Sequence, residues 1–404
     1  MKVNDIYSFN NFSNEEFNNY LRNRLKIEGN YLFTSNQSAK NFFDYRKIIF
    51  CKKPKETYLL NISSFNNSEV EKFYAMKILN NGSLKKKFLV IFKILLDFFR
   101  ILPKKNFFRK KFFKLFDDNI VFENLFCDFR SNEIYSNNQI NQYAKLKKIK
   151  IHSLVFSWDN LFAGDVVDYA DNYYVQSSYF KSLLNTRHNI SLDKIKKIES
   201  FQFRYLKKKL PVKKKNYFIY AFSHSSKEKE YFKEELDNLK LISKILLKEN
   251  SNIQIIARLY PYDYQKRVFL SKKIKNVKFQ NYGKLIKISK SQSFMFENKL
   301  NQKNLFIKNC LGCINIFTTF GIETSIADKP TIFFANKNFK NASNYYNSVY
   351  FKLKFMPHYQ IIKHKINFVD NAMLLEENIR DIIYSNNQQK FKLQSKVLKK
   401  IFLN

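Results

Sequence analysis

"CINIFTTFGIETSIADKPTIFF", Cys313–Phe334, is the stretch whose reading decides the fold. A short apolar run, "CINIF", leads into two threonines and a glycine. "GIETSIA" has the character of a short helix, Lys-Pro then punctuates, and a second apolar run, "TIFF", begins. Strand, turn, helix and strand in so few residues predict one crossover unit of a parallel sheet. The chain has six glycines, and one of them, Gly321, stands in this turn. A helix start offers backbone N–H groups to an anion, and a glycine lets that anion come close.

The alternation continues on both sides. Upstream, "YFIYAF" (217–222), "IQIIA" (253–257) and "VKF" (277–279) read as strands, with a charged amphipathic helix over about 227–248. "KLIKISKSQS" reads as an irregular basic stretch, and "NQKNLFIKN" as a helix. In the first half, "IKIHSLVF" (149–156) and "NYYVQS" (172–177) are expected strands, and "SYFKSLLNTRH" a helix capped by Ser177 or Ser178. "YLKKKLPVKKKNY" (205–217), six lysines around one proline, is expected to be a solvated hinge. The expectation is α/β: two Rossmann-like domains facing a cleft. The first is residues 1–205 with a basic apolar helical segment at 84–116; the hinge is 206–216. The second domain is 217–375, followed by a C-terminal helix at 376–404.

In open parallel sheets, ligands sit at the carboxyl ends of the strands. Four loops of the second half share that rim: "SHSS" (223–226), "RLYP" (258–261), "QNYGK" (280–284) and "TTFGIE" (318–323). Thr318, Thr319 and Gly321 suit phosphate oxygens. Glu323 suits two ribose hydroxyls, or else complements the helix dipole. Arg258 offers a fork to a diphosphate, or makes a surface ion pair. Ser223, His224 and Ser225 are placed to line a phosphate channel, His224 being either an acid/base or a plain loop residue. In the first half, Trp158 offers an indole face for a sugar ring or for domain packing. Asp159 is an acid/base or a cap, Asn160 lies beside it, and His152 is a second candidate base. No metal site is expected.

Seventy-two Lys and Arg against 34 Asp and Glu give a formal net charge of +38. Such a field favours polyanions: nucleic acid, an acidic membrane face or phosphorylated small molecules. The basic residues are scattered, without a finger, an aromatic RNA-binding motif or a recognition-helix pattern, so no specific nucleic acid is expected. Four cysteines make no disulfide framework, and "CLGC" (310–313) lacks a second Cys or His pair for zinc, so small residues lining a strand start are the expectation. The N-terminal stretch has no apolar core, so no secretory signal is expected. No apolar run reaches the length of a membrane span.

"FSWDNL", "YADNYYVQSSYFKSLL" and "ISLDKIKKIES" together resemble bacterial glycosyltransferase-like proteins of surface-polysaccharide biosynthesis, of the GT-B type. "RLYP" looks like their Arg-x-His-Pro loop, with Tyr260 in place of His. "TTFGIETSIADKPTIFF" is similar to a turn shared with CDP-glycerol transferases and UDP-N-acetylglucosamine 2-epimerases, with Asp328 in place of a usual Gly. The resemblance spans about residues 130–340. It implies a nucleotide-sugar donor in the second domain, held by Arg258, Thr318, Thr319, Gly321 and Glu323. It also implies a glycan or lipid-linked acceptor in the first domain, and no cofactor. Two departures, the missing His and the absence of a Gly-rich loop at "SHSS", point to altered donor choice or lost activity. The alternatives are a CDP-glycerol or ribitol phosphotransferase of the same fold, and a noncatalytic polyanion or membrane binder.

"LKKKFLVIFKILLDFFRILPKK" (84–105) and "NFFRKKFFKLF" (106–116) combine apolar runs with lysines. One reading is a core helix with a basic loop. The other is a patch on an anionic membrane surface, where each lysine contributes about 1 kcal/mol. The second reading implies a cytoplasmic protein peripherally attached to the membrane's inner face.

Overall fold

The computed structural model describes residues 4–8, 31–34, 47–50, 84, 87–88, 91, 122–128, 144–155, 161, 170–200, 203–213, 215–223, 229–250, 252–259, 274–280, 284–287, 293–296, 300–316, 318–334, 336 and 368–403. The chain forms two compact units, with the main boundary between residues 202 and 203.

The first unit holds a seven-stranded, all-parallel sheet. Its strands are β1 (Asn4–Ser8), β2 (Tyr31–Thr34), β3 (Lys47–Phe50), β4 (Phe122–Asp128), β5 (Lys150–Leu154), β6 (Asn172–Val175) and β7 (Ile195–Lys197). They lie in the order β3-β2-β1-β4-β5-β6-β7. Between β6 and β7 runs helix α1 (Ser178–His188). Ser177 is its cap, accepting from the Phe180 N–H, and Asn189 ends it at φ 55° in the left-handed region that Asn tolerates.

The second unit repeats the pattern with six parallel strands. They are β8 (Tyr217–Ala221), β9 (Gln254–Arg258), β10 (Val277–Phe279), β13 (Gly312–Asn315), β14 (Thr331–Phe334) and β15 (Phe368–Val369). Their order is β10-β9-β8-β13-β14-β15. β11 (Lys284–Lys287) and β12 (Ser293–Phe296) pair apart from it as an antiparallel hairpin, where the sequence suggested irregular chain. The helices are α2 (Lys229–Glu249), α3 (Leu300–Asn309), α4 (Thr319–Ile326), α5 (Ala372–Ile383) and α6 (Gln389–Phe402). The single C-terminal helix expected over 376–404 is therefore two.

β13 and β14 are buried at every residue, as strands covered on both faces must be. α2 presents Phe232, Leu236, Leu239 and Leu246 to one side of the sheet, at helical spacing. There they join Phe218, Ile255, Ile314, Ile332 and Val369, with Leu375, Ile379 and Ile382 from α5. Gly312 is small by necessity, because a Cβ would stand 2.9 Å from the Pro330 carbonyl.

Within the segment where a solvated hinge is expected, described residues contact α3. Tyr205 and Leu206 are buried, and the buried Asn304 side chain donates to the carbonyls of Tyr205 (2.7 Å) and Lys208 (3.3 Å). The Lys213 N–H reaches Asn309 Oδ1 and the Lys215 N–H the Asn309 carbonyl. The lysine run is laid along α3, which satisfies backbone groups that the proline-broken chain cannot pair by itself.

Candidate functional site

In the second sheet the strand order runs outward in opposite directions from the β8/β13 pair. The chain leaves β8 toward β9 and β10, and returns across to β13, β14 and β15. That reversal is the topological switch point, where loops diverge and open a crevice at the carboxyl edge. Ser223, two residues beyond β8, and Thr318, three beyond β13, flank it.

α4 begins at Thr318, whose Oγ1 accepts from the Gly321 N–H at 3.1 Å. Asn315, wholly buried at the end of β13, braces this cap: its Oδ1 accepts from Thr318 N–H (2.9 Å) and Thr318 Oγ1 (3.1 Å). A Cβ on Gly321 would lie 2.4 Å from Asn315 Nδ2. The glycine is thus required by the asparagine beneath it. Gly321 therefore has a structural reason of its own in Asn315, beside the phosphate approach expected of it. Its amide is also taken by the cap, so an anion would meet the earlier first-turn positions, among them the half-buried Thr319.

Glu323 is corrected as well. It lies beyond the first turn of α4, so the helix-dipole role falls away. Its carboxylate lies 2.9 Å (Oε1) and 2.8 Å (Oε2) from Lys303 Nζ on α3, with side chains only 5% and 10% exposed. In this structure Glu323 is the counter-ion of a buried lysine. Its access to a ribose depends on that lysine moving or sharing it.

Arg258 is the last residue of β9 and is buried, not on the open surface. Its guanidinium lies 4.7 Å from the Phe320 ring centroid, and Nη1 donates to Gln280 Oε1 at 3.1 Å. Lys303 Nζ lies 5.5 Å from the same ring and 5.3 Å from that of Tyr205. Phe320, in the first turn of α4, is thus a shared platform for two cations at the rim. A ring quadrupole favours each by about 0.5–2 kcal/mol.

Ser223 has another occupation than the one expected. Its N–H lies 3.1–3.2 Å from the Glu235 carboxylate, and its hydroxyl donates to the same group. Glu235, on α2, is fully buried. Ser223 therefore anchors its loop instead of presenting a hydroxyl to phosphate. His224 and Ser225 lie outside the described residues, as do Trp158, Asp159 and Asn160.

His152 sits in mid-strand, in register with Asn172 at the start of β6, so it is not on the carboxyl rim. Nε2 lies 3.0 Å from Asn124 Oδ1; Nδ1 lies 3.3 Å from both Asn172 Nδ2 and the Tyr174 hydroxyl. The ring stacks on Phe126. This is a packed, hydrogen-bonded histidine, which argues against the role of base.

The cysteines of "CLGC" are small core residues. Cys310 and Cys313 are fully buried and unbridged, and burial pushes the Cys310 thiol up to about 12 and Cys313 higher still. Among the described residues no group of three or more His, Cys, Asp or Glu could hold a metal ion.

Lys303, Phe320, Gln280, Asn315 and Glu235 are the residues that sequence reasoning missed. Asn315 had a signal, a lone amide inside an apolar strand, which must find partners when buried. Lys303 had none, being one of 72 basic residues.

No family model matches the chain, and no curated protein does. Solved structures are similar over nearly all of it. An S. aureus MnaA–UDP co-structure shares 8% identity, with 98% of this chain and 91% of the other covered and a TM-score of 0.48. A glycosyltransferase from Rickettsia africae shares 12%, with 100% and 94% covered and a TM-score of 0.46. The wall teichoic acid polymerase TagF shares 12%, with 99% and 84% covered and a TM-score of 0.46. At such identities and scores, function rests on this chain's own residues.

Proposed function

We propose that the second unit binds the diphosphate of a nucleotide-sugar at the β8/β13 switch point, and that the chain is a glycosyltransferase of the GT-B type. The observation that supports this best is the pairing of Arg258 and Lys303 around Phe320, beside the capped start of α4. Arg258 and a helix N-terminus, with Lys303 shared between Glu323 and the ligand, form a place for a multiply charged anion.

In the proposed reaction an acceptor hydroxyl oxygen forms a bond to the anomeric carbon of the sugar. The bond from that carbon to the diphosphate oxygen breaks, and the nucleoside diphosphate leaves with the electron pair. The hydroxyl proton passes to a general base, the role that the sequence offers to Asp159. Negative charge grows on the leaving diphosphate, where Arg258 and Lys303 act. Prearranged charge of this kind often supplies the largest share of a rate enhancement.

The test is transfer or hydrolysis of UDP-, GDP- and CMP-linked donors and CDP-glycerol by the full chain. A sugar donor should be consumed, with Arg258→Gln and Lys303→Gln each lowering kcat by about 100-fold, the scale on which removal of one stabilising donor acts. Preference for CDP-glycerol would turn the reading to phosphotransfer. Undiminished turnover in both variants would remove the site.

A further inference from the structure

Residues 84, 87, 88 and 91 are helical, and their spacing puts them on one face. Three of them are large apolar side chains turned to solvent: Leu84 is 88% exposed, Phe88 69% and Ile91 48%. Other exposed apolar residues are single, such as Leu146, Leu192 and Val212, or at most an adjacent pair, Met373 and Leu374. This group differs in forming a stripe, and the order of the chain adds Lys85, Lys86 and Lys87 beside it. Through residues 84–116 there are 11 Lys and Arg against one Asp.

We infer that this helix face is a docking surface for an anionic lipid bilayer. Charge decides among the occupants. A second copy of the chain carries the same +38 and the same lysines, so two such faces repel. A nucleic acid would neutralise the lysines but leave Leu84, Phe88 and Ile91 in water. A bilayer with acidic headgroups satisfies both halves: the apolar side chains enter the acyl boundary while lysines meet phosphates. Lysines interleaved with the apolar residues suit a contact along the surface, with the charged groups at the headgroups. The inference does not depend on the nucleotide reading.

The test is co-sedimentation of the full chain with vesicles of phosphatidylcholine and phosphatidylglycerol in equal parts, and with pure phosphatidylcholine vesicles. The chain should bind the acidic vesicles at least about ten-fold more tightly than the neutral ones, and less tightly as salt is raised. Leu84→Ser/Phe88→Ser/Ile91→Ser should lose at least about ten-fold of that binding while keeping its melting temperature, because exposed side chains add little to the fold. If the triple variant melts early, Phe88→Ser alone carries the test and should lose at least about three-fold. Unchanged vesicle binding in the apolar variant that keeps its fold overturns the inference. So does a chain that self-associates through this face without vesicles, or one that binds RNA with an affinity dependent on Phe88.

Discussion

Lys303 Nζ lies 2.8 Å from Glu323 Oε2 with both side chains almost out of water, joining α3 to α4 beneath the candidate site. Breaking one side of such a pair leaves an uncompensated buried charge and costs about 3–5 kcal/mol. Lys303→Met should therefore lower the unfolding free energy by about that much, whereas Lys303→Met/Glu323→Leu should recover most of it. Denaturant unfolding of both variants measures this. If Lys303 also grips the donor, the double variant will be stable and still bind nucleoside diphosphate poorly, which separates the structural role from the binding one.

Gly321 and Asn315 should behave as one unit. The missing Cβ would stand 2.4 Å from the Asn315 amide, so Gly321→Ala should destabilise by about 1–3 kcal/mol, the usual cost of overpacking. Asn315→Ala removes the brace on Thr318 but opens the space. A double-mutant cycle should give a coupling of about 0.5–3 kcal/mol, with the double variant more stable than the sum of the single losses. Simple additivity would show that the close approach is relieved in solution.

Asp328 explains a departure from the resembling pattern, which has Gly there. It stands at φ 60°, in the left-handed region, and its carboxylate accepts from Ser395 Oγ at 2.7 Å and pairs with Lys399 on α6. The aspartate tolerates the strained backbone and ties the C-terminal helix to the α4–β14 turn. Asp328→Ala keeps the strain and loses both bonds, whereas Asp328→Gly loses only the bonds. Thermal melts should rank Ala below Gly by about 1 kcal/mol, the order of the left-handed penalty.

The buried thiols predict a pH dependence. Burial raises Cys310 to about 12 and Cys313 further, both above the ordinary thiol value. A folded pKa above the unfolded one favours the folded state fully only below the unfolded pKa, about 8.5. Stability should fall as pH rises from there toward 12, the folded value for Cys310. Cys310→Ala/Cys313→Ala should flatten that alkaline loss. In a Cys51→Ser background, Cys127, Cys310 and Cys313 should all resist a water-soluble thiol reagent until the chain is unfolded.

Much of the second unit was legible, for a physical reason. β8, β9, β13 and β14 are continuous apolar runs separated by helices with clear apolar stripes, and such runs have few other ways to be buried. The helix after β13 was legible as "GIETSIA", although it starts two residues earlier, at Thr319, because Thr318 caps it. What was hidden depends on contacts between distant segments. Lys303 lies 20 residues from Glu323 on another helix, and no local pattern marks it. The β11–β12 pair was hidden because lysines and serines interrupt its alternation. Gly321 shows how one position can carry a second reason that sequence hides: Asn315 also needs the glycine.

Isothermal titration of the full chain with UDP, GDP and CDP tests the central claim most directly. The account predicts that one of the three binds at a single site, and that Arg258→Gln, with an intact fold by circular dichroism, weakens it by at least about ten-fold, as loss of a charge-assisted bond would. Absence of binding by all three at millimolar concentration, or an Arg258→Gln variant that binds as well as the natural chain, would contradict it.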